Sequence, residues 1–375
     1  MQVVVLKTHL KEGLEITDRV VGRSSSMPIL NNVLLSVKKG EVRLCATDLQ
    51  MGITFKFQGT VKEEGRVVFP GRFLASLLAI SSGDQVSLAS EGQNLLVATG
   101  EHEATLKTLD AEEFPIIPAL EGSEPALEVE TGVLCRGLNQ VVGMTGQSQT
   151  RPEISGVLFV LAKKEVRVVA TDSFRLAERK FLLEKEGGIE QSFILPSKTA
   201  RELIAIFGER PGKTTIHVSP TQAVFDYESQ ESPLKLHIQI VSRIVEGEYP
   251  RYEDVIPSSQ KTSAVVSRAD LLNHLKAAGI FAGKTQEVRL AVDAPKKEIT
   301  FSSENTEAGS HRSTLKGEIV GESLEVAFNW RFLSEGLLHM RGERVEFGLN
   351  GEDGSALVRP LEQEGYLYVI MPIKA

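Results

Sequence analysis

The chain has 375 residues, with 42 Lys+Arg against 50 Asp+Glu and a formal net charge of -8. At 41% hydrophobic and 25% charged residues it has the composition of a soluble globular protein. At roughly 100–200 residues per domain, two or three domains fit. Disorder is excluded as the default, no run of about 18 apolar residues offers a membrane span, and two cysteines, Cys45 and Cys135, are too few for a disulfide framework or a multi-cysteine metal site.

The opening MQVVVLKTHL lacks a small-residue cleavage site, so no signal peptide is visible and a reducing cytoplasm is expected. Residues 7–23 follow as a helix with Leu10, Leu14, Thr17 and Val21 on one face. VLLSV (33–37) and EVRLCAT (41–47) read as strands around a turn at Gly40. A short helix over 71–80 carries Phe73, Leu74, Leu77 and Leu78, and QVSLAS (85–90) is again a strand. Further helices are expected over 131–146, 197–210, 267–284 and 330–341. Leu203, Ile204 and Phe207 mark the second of these, Ser267 is a candidate N-cap for the third, and Phe332, Leu333 and Leu337 mark the fourth.

These elements repeat. PILNNVLLSVKKGEVRLCATD (28–48) aligns without a gap on PEISGVLFVLAKKEVRVVATD (152–172), an offset of 124. A diverged third copy, VRLAVDAPKKEITFSSEN, begins at Val288 and loses ATD. The short helices correspond as PGRFLASLLA, PSKTARELIA and NWRFLSEGLL. Two copies close alike, in EEFPIIP and GEYPRYEDVIP. Two helices with many short strands per copy predict α+β domains, helices packed on antiparallel sheets. The Pro-containing stretches place the boundaries at 1–119, 120–251 and 252–375.

Catalytic chemistry finds little support. AGIFAGKT (278–285) approaches a phosphate-binding loop, but Ala278 replaces its first Gly. The order is also reversed, a helix before and a strand after, which favours a helix C-terminus closed by Gly283. Asp48 and Asp172 recur without a His or Lys at a fixed offset and read as turn residues. The seven histidines form no zinc pattern, no Ser sits in a nucleophile elbow, and Trp330 reads as a packing residue at a helix start. No catalytic residue, metal or cofactor is expected.

Charge distribution says more than its total. The acidic sum argues against nucleic acid. Yet each of the six helix candidates is net +1 or +2, +7 together, leaving -15 elsewhere. A surface built from these helices would attract a polyanion that the sheet side repels.

ATDSFRLA (170–177), YPRYEDVIP and the terminal VIMPI, set in this three-copy order, resemble the bacterial sliding clamps, the beta subunits of DNA polymerase III, over the whole chain. The resemblance implies three tandem clamp domains. Two subunits would join head to tail into a dimeric ring around double-stranded DNA, helices inward and sheets outward. Such a ring tethers the replicative polymerase as a processivity factor and catalyses nothing. By matching position it implies DNA-facing Arg23, Arg72, Lys198 and Arg201; the charge pattern adds Lys7, Lys11, Arg136, Lys276 and Arg331.

It also implies a pocket between domains 2 and 3 for short apolar, often Gln-led peptides from polymerases, the clamp loader and repair proteins. The matching lining is Ile154, Thr171, Ser173, Phe174, Arg175 and Leu176, with Pro250, Val255, Val369, Ile370, Met371 and Pro372. Read from the residues alone, Leu176, Val369 and Ile370 are strand core. Phe174 stands where the family often has His, and the Lys374-Ala375 tail departs from a more basic or apolar end. Leu106 would meet Ile280 and Phe281 across the subunit interface, which gives AGIFAGKT a role without nucleotide. A nucleotide-dependent enzyme and an interaction scaffold that never encloses DNA remain the alternative classes.

Overall fold

Alternation of apolar and polar residues marks the half-covered strands. In Glu41–Thr47, Val42, Leu44 and Ala46 are fully buried while Arg43 points outward, the period-two pattern of a sheet with one covered face. The computed structural model describes residues 1–22, 27–118, 127–148, 150–183, 190–208, 210–229 and 236–374. Among these are six α-helices: α1 (Lys7–Asp18), α2 (Gly71–Ile80), α3 (Thr131–Val141), α4 (Ser197–Phe207), α5 (Arg268–Gly279) and α6 (Trp330–His339). All six fall within the expected spans. Several stop short, α1 at Asp18 rather than residue 23 and α5 at Gly279 rather than residue 284. None is long and apolar enough to cross a membrane.

Two compact units divide the chain, one of residues 1–135 and 202–244, the other of 136–183, 190–201 and 245–374. The division passes through α3 and α4. In the first unit an eight-stranded antiparallel sheet runs Leu127–Glu130, Lys213–Val218, Gln222–Glu228, His237–Arg243, Met51–Gln58, Glu41–Thr47, Val33–Lys38, Gly65–Phe69. Its second sheet runs Thr60–Glu63, Gln2–Leu6, Gln85–Glu91, Asn94–Thr99, His102–Lys107. α1 packs against α2 and lies on Glu41–Thr47 and Met51–Gln58. Leu10 and Leu14 reach the core, and the Thr17 hydroxyl donates back to Gly13 O at 2.8 Å.

The second unit repeats this plan. A nine-stranded sheet runs Gln191–Pro196, Gly156–Leu161, Glu165–Thr171, Arg175–Leu182, Tyr366–Ile370, Ala356–Pro360, Arg344–Leu349, Thr262–Ser267, Glu318–Gly321. A four-stranded sheet runs Gly309–Lys316, Glu298–Asn305, Glu287–Asp293, Leu324–Asn329. α5 packs against α6 and on Gly309–Lys316. Ser267 caps α5, its hydroxyl accepting from Asp270 N at 3.2 Å. The middle repeat thus gives strands to both large sheets, which is why three sequence copies fold as two compact units.

Gly279 and Trp330 join α5 to α6. A Cβ on Gly279 would stand 2.5 Å from the Trp330 ring, and the indole N–H donates to Gln286 Oε1 at 2.9 Å. The packing role expected for Trp330 holds, and it explains a glycine in the last turn of a helix. Gly279→Ala should cost about 1–3 kcal/mol through overpacking. Thermal unfolding followed by the single tryptophan should show the loss as a lowered midpoint. An unchanged midpoint would mean that the helices part freely.

Candidate functional site

The ATD triplets form one turn twice. Asp48 Oδ1 accepts from Gln50 N and Met51 N at 3.0 and 2.8 Å, and Asp172 Oδ1 accepts from Phe174 N and Arg175 N at 3.0 Å each. Thr47 and Thr171 donate to the carbonyls of Met51 and Arg175 at 2.9 and 2.7 Å. Each turn holds one residue left-handed, Leu49 at φ 72° and Ser173 at φ 79°. These carboxylates are structural, as the sequence suggested. The third copy lost ATD but kept an accepting side chain at this place: Asn305 Oδ1 accepts from Glu307 N and Ala308 N at 2.9 and 3.2 Å, in a hairpin one residue longer than the other two.

In the second copy the turn carries the chemistry. Arg175 Nε donates to Asp172 Oδ2 at 2.9 Å, its Nη1 pairs with Glu335 of α6, and its guanidinium lies 4.3 Å from the centre of the Phe332 ring. Burial opposes the Arg175 charge, but Tyr368, Glu335 and Asp172 outweigh it and hold its pKa above the ordinary arginine value. The exposed Phe174 ring sits 6.3 Å from Phe332, and Phe174 O accepts from Met371 N at 2.8 Å.

Beside the turn is a cavity of about 200 Å³. It gathers nine of the twelve expected lining residues: Thr171, Ser173, Phe174, Arg175, Leu176, Pro250, Val255, Val369 and Met371. Three do not line it. Ile154 is buried against Gly146, Ile370 is fully buried, and Pro372 lies beyond the strand in the tail. Arg151, Arg251 and Tyr252 complete the wall. Arg151 donates to Ser173 Oγ at 3.0 Å, and the Tyr252 hydroxyl donates to Glu178 at 2.7 Å. Burial, then Glu178, pushes the Tyr252 phenol above its usual range. Tyr252 was within reach of sequence reasoning, since it lies between Pro250 and Val255. Arg151 and the α6 residues Phe332 and Glu335 reach the site only through the fold. Leu176, Val369 and Tyr252 belong to one apolar cluster with Leu158, Val169 and Leu357, so the floor is core as well as cavity. In the first copy the equivalent position is filled. Gly52 stands where Leu176 would, and the Ile117 side chain lies 2.7 Å from the place of its Cβ.

The expected DNA-facing residues divide. Arg23 lies outside the described residues. Arg72 on α2 and Lys198 and Arg201 on α4 are exposed, as are Arg136, Lys276 and Arg331. Lys7 is tied to Ser81 O and Lys11 pairs with Glu15 at 3.8 Å. Two further cations of the expected helix spans lie just past α1 and α4 and are paired, Arg19 with Glu202 at 3.0 Å and Arg210 with Glu12 at 2.7 Å. A cluster the sequence did not flag surrounds Arg179. Its stem packs on Gly137 of α3 and its Nη1 donates to Glu364 O. Burial and then Arg341 and Arg136 lower its pKa, so the charges acting on it are positive.

Among the sheet-edge strands of the described residues are His102–Lys107 and Gly309–Lys316. Leu106 lies on the first. Ile280, 74% exposed, and Phe281, stacked on His311 of the second edge at 5.9 Å, follow α5. Gly283 takes φ 58° after that helix, and the strand Glu287–Asp293 follows, so AGIFAGKT is a helix exit.

The repeated α+β units, and the pocket in the second of them, define a DNA-clamp architecture. Family models of the DNA polymerase III beta subunit match end to end: the N-terminal domain over residues 1–118, the central domain over 128–251 and the C-terminal domain over 253–374. The chain belongs to this family. It is 28% identical over 382 residues to the beta sliding clamp of Synechococcus elongatus, covering 100% of this chain and 99% of that one. It is 25% identical over 386 residues to the Bacillus subtilis beta sliding clamp, covering 100% of both. Among solved structures, the Thermotoga maritima DNA polymerase III beta subunit superposes with TM-score 0.89 at 28% identity, covering 100% of this chain and 99% of that one. The Pseudomonas aeruginosa sliding clamp bound to griselimycin does so with TM-score 0.90 at 25% identity, covering 100% of both.

Arg175 ties the turn to α6, and its side chain is only 9% exposed. Arg175→Ala should therefore cost about 2 kcal/mol in urea unfolding, from the lost ring contact and charged hydrogen bonds. Arg175→Lys should recover less than half, because an ammonium cannot lie flat on Phe332 while donating to two carboxylates. Full recovery by Lys would show that charge alone matters.

Proposed function

We propose that this chain is a DNA polymerase processivity factor. Two copies close head to tail into a ring around duplex DNA, and the ring tethers the polymerase and other partners through the pocket beside Phe174. The observation that carries the reading is the end-to-end match of three clamp-domain models to a chain whose helices are net positive while its total is acidic. Topology, rather than tight binding, then supplies retention, and the protein performs no catalysis. Loose, sequence-independent phosphate contacts suffice and leave sliding free. Arg72, Lys198 and Arg201 are the proposed DNA-facing set, joined by Arg23 from the sequence match and by the cluster around Arg179. The domains are assigned to 1–119, 120–251 and 252–375. The cytoplasm, where replication takes place in bacteria, is the proposed location.

The test is retention on DNA. With a clamp loader present, the protein should stay on circular duplex and leave linearised duplex quickly. Equal, rapid loss from both would sink the ring. Leu106, Ile280 and Phe281 are assigned to the subunit interface, since an exposed Ile beside a stacked Phe is a liability on a monomer. Ile280→Asp with Phe281→Asp should give a monomer by light scattering and abolish retention on circles. A dimer of unchanged mass would refute the assignment.

The pocket is assigned to an apolar peptide anchor. A cavity of about 200 Å³ walled by Leu176, Val369 and Val255 suits one large aliphatic or aromatic side chain. Full burial of such an anchor is worth about 1.5–3 kcal/mol, and Arg151, Ser173 and Arg175 supply polar groups to orient the backbone. Val255→Glu with Met371→Glu, both at exposed positions, should weaken a fluorescent Gln-led, Leu/Phe-containing peptide at least tenfold in anisotropy titrations. Circular-DNA retention should be untouched. Unchanged peptide affinity would move the partner site elsewhere.

A further inference from the structure

We propose the strand register that closes the ring, with Arg312 of one subunit opposite Glu103 of the other. The proposal rests on the dimeric reading above and specifies the pairing that reading leaves open.

Two seams already join repeat to repeat. In the first unit Met51–Gln58 pairs with His237–Arg243, placing Gly52 opposite Val241, Ile53 opposite Ile240 and Thr54 opposite Gln239. In the second, Arg175–Leu182 pairs with Tyr366–Ile370, placing Leu176 opposite Val369, Ala177 opposite Tyr368 and Glu178 opposite Leu367. These pairs are equivalent under the repeat, and two internal markers prove it. The first marker is the hairpin. The residue before each Asx turn pairs across its own hairpin as Thr47 with Gly52, Thr171 with Leu176 and Glu304 with Ser310. Ser310 therefore occupies the place of Gly52 and Leu176. The second marker is a backbone hydrogen bond to the residue two before each short helix's cap. Leu109 N donates to Val68 O at 2.9 Å, Val245 N to Ile194 O at 2.9 Å and Ile373 N to Ala327 O at 2.8 Å. Counting back four residues from these donors gives Thr105, Val241 and Val369.

The third pairing follows without free choice. Ser310 meets Thr105, His311 meets Ala104, and Arg312 meets Glu103. The strands carrying these residues, Gly309–Lys316 and His102–Lys107, each end their sheet on one side and lack the inter-repeat partner that the equivalent strands of the other copies have, so a second copy is the occupant that satisfies both. Sidedness agrees. In both observed seams the position of His311 and Ala104 is buried on the helix side, as Ile53 with Ile240 and Ala177 with Tyr368. Phe281 already stacks on His311 there. The position of Arg312 and Glu103 lies on the opposite face.

Charge agrees as well. Arg289, Ser302 and Arg312 form one row across the four-stranded sheet. Arg289 is matched to Glu287 and Glu325 at 3.1 and 3.5 Å. Arg312 and Glu103 are both exposed, and neither forms an ion pair with a described residue of its own chain. A cavity of about 500 Å³ bordered by Arg289, Glu304, Ser310 and Arg312 opens at this edge. The partner's Glu103 would extend the row beside it, an opposite-charge cross-strand pair.

A charge-reversal cycle on the full-length protein tests the register. By sedimentation equilibrium at about 0.1 M salt, Glu103→Arg and Arg312→Glu should each weaken the dimer about tenfold or more, because each places like charges opposite at both seams. The double variant should return to within about threefold of the parent. Glu101 serves as the control, since a register slipped by two residues would bring it opposite Arg312. Rescue of Arg312→Glu by Glu101→Arg instead of Glu103→Arg overturns the register. A dimer indifferent to both single reversals overturns the pair while leaving the ring intact. A parent that sediments as a monomer overturns the pairing together with the dimeric reading.

Discussion

Backbone hydrogen bonding at strand edges governs this architecture. A strand at the rim of a sheet exposes a row of unpaired N–H and C=O groups, and folds either cover such rows or pair them. Here pairing repeats. The strand after each of the first two Asx turns meets the last strand of a following repeat, in the same register both times. Each large sheet is therefore wider than one repeat could build. The compact units of the chain cut across the sequence copies because hydrogen-bonded sheets hold together across repeat boundaries. The same constraint leaves one edge at each end of the pattern, and those edges carry the residues assigned to dimerisation.

A single turn shows how copies diverge while geometry persists. Asp48, Asp172 and Asn305 make the same two hydrogen bonds to the backbone two and three residues ahead. The residues just after each turn decide the local chemistry. After Asp48, Gly52 admits Ile117 and the site is filled. After Asp172, Leu176 and Arg175 leave a cavity and brace its rim against α6. After Asn305 the strand runs on as an open edge. The cavity beside Phe174 is thus a consequence of a few side chains on a shared backbone.

Much of this was legible in the sequence, for identifiable reasons. Helix faces and strands follow from apolar spacing, so Leu10, Leu14, Leu271 and Leu275 lie where periodicity puts them. Helix ends were less legible, since the expected spans continued α1 past Asp18 and α5 past Gly279. The pocket was legible only through resemblance: Leu176 and Val369 are apolar strand residues, and nothing in their type distinguishes a cavity wall from core. Arg151, Phe332 and Glu335 were missed because they come from distant segments that meet only in the folded sheet and helix layer. The third copy's accepting side chain was not singled out because Asn replaced Asp, a change that preserves the accepting oxygen although the hairpin around it is one residue longer.

Charge shows the limit of counting. A helix total of +7 treats every cation as available. Arg19 and Arg210 are matched by Glu202 and Glu12, and Lys7 is held by a backbone carbonyl, so part of that sum works within the protein. Exposed Arg72, Arg201, Lys276 and Arg331 keep the sign positive, and Arg136 and Arg341 add like charges beside Arg179. A modest positive face suits a clamp better than a strong one. Each phosphate neutralised adds to salt-sensitive affinity, and affinity beyond what closure of the ring requires would oppose movement along the duplex. The overall charge of -8 is the sum of +7 on the expected helix spans and -15 elsewhere, which is consistent with helices that favour a polyanion only locally.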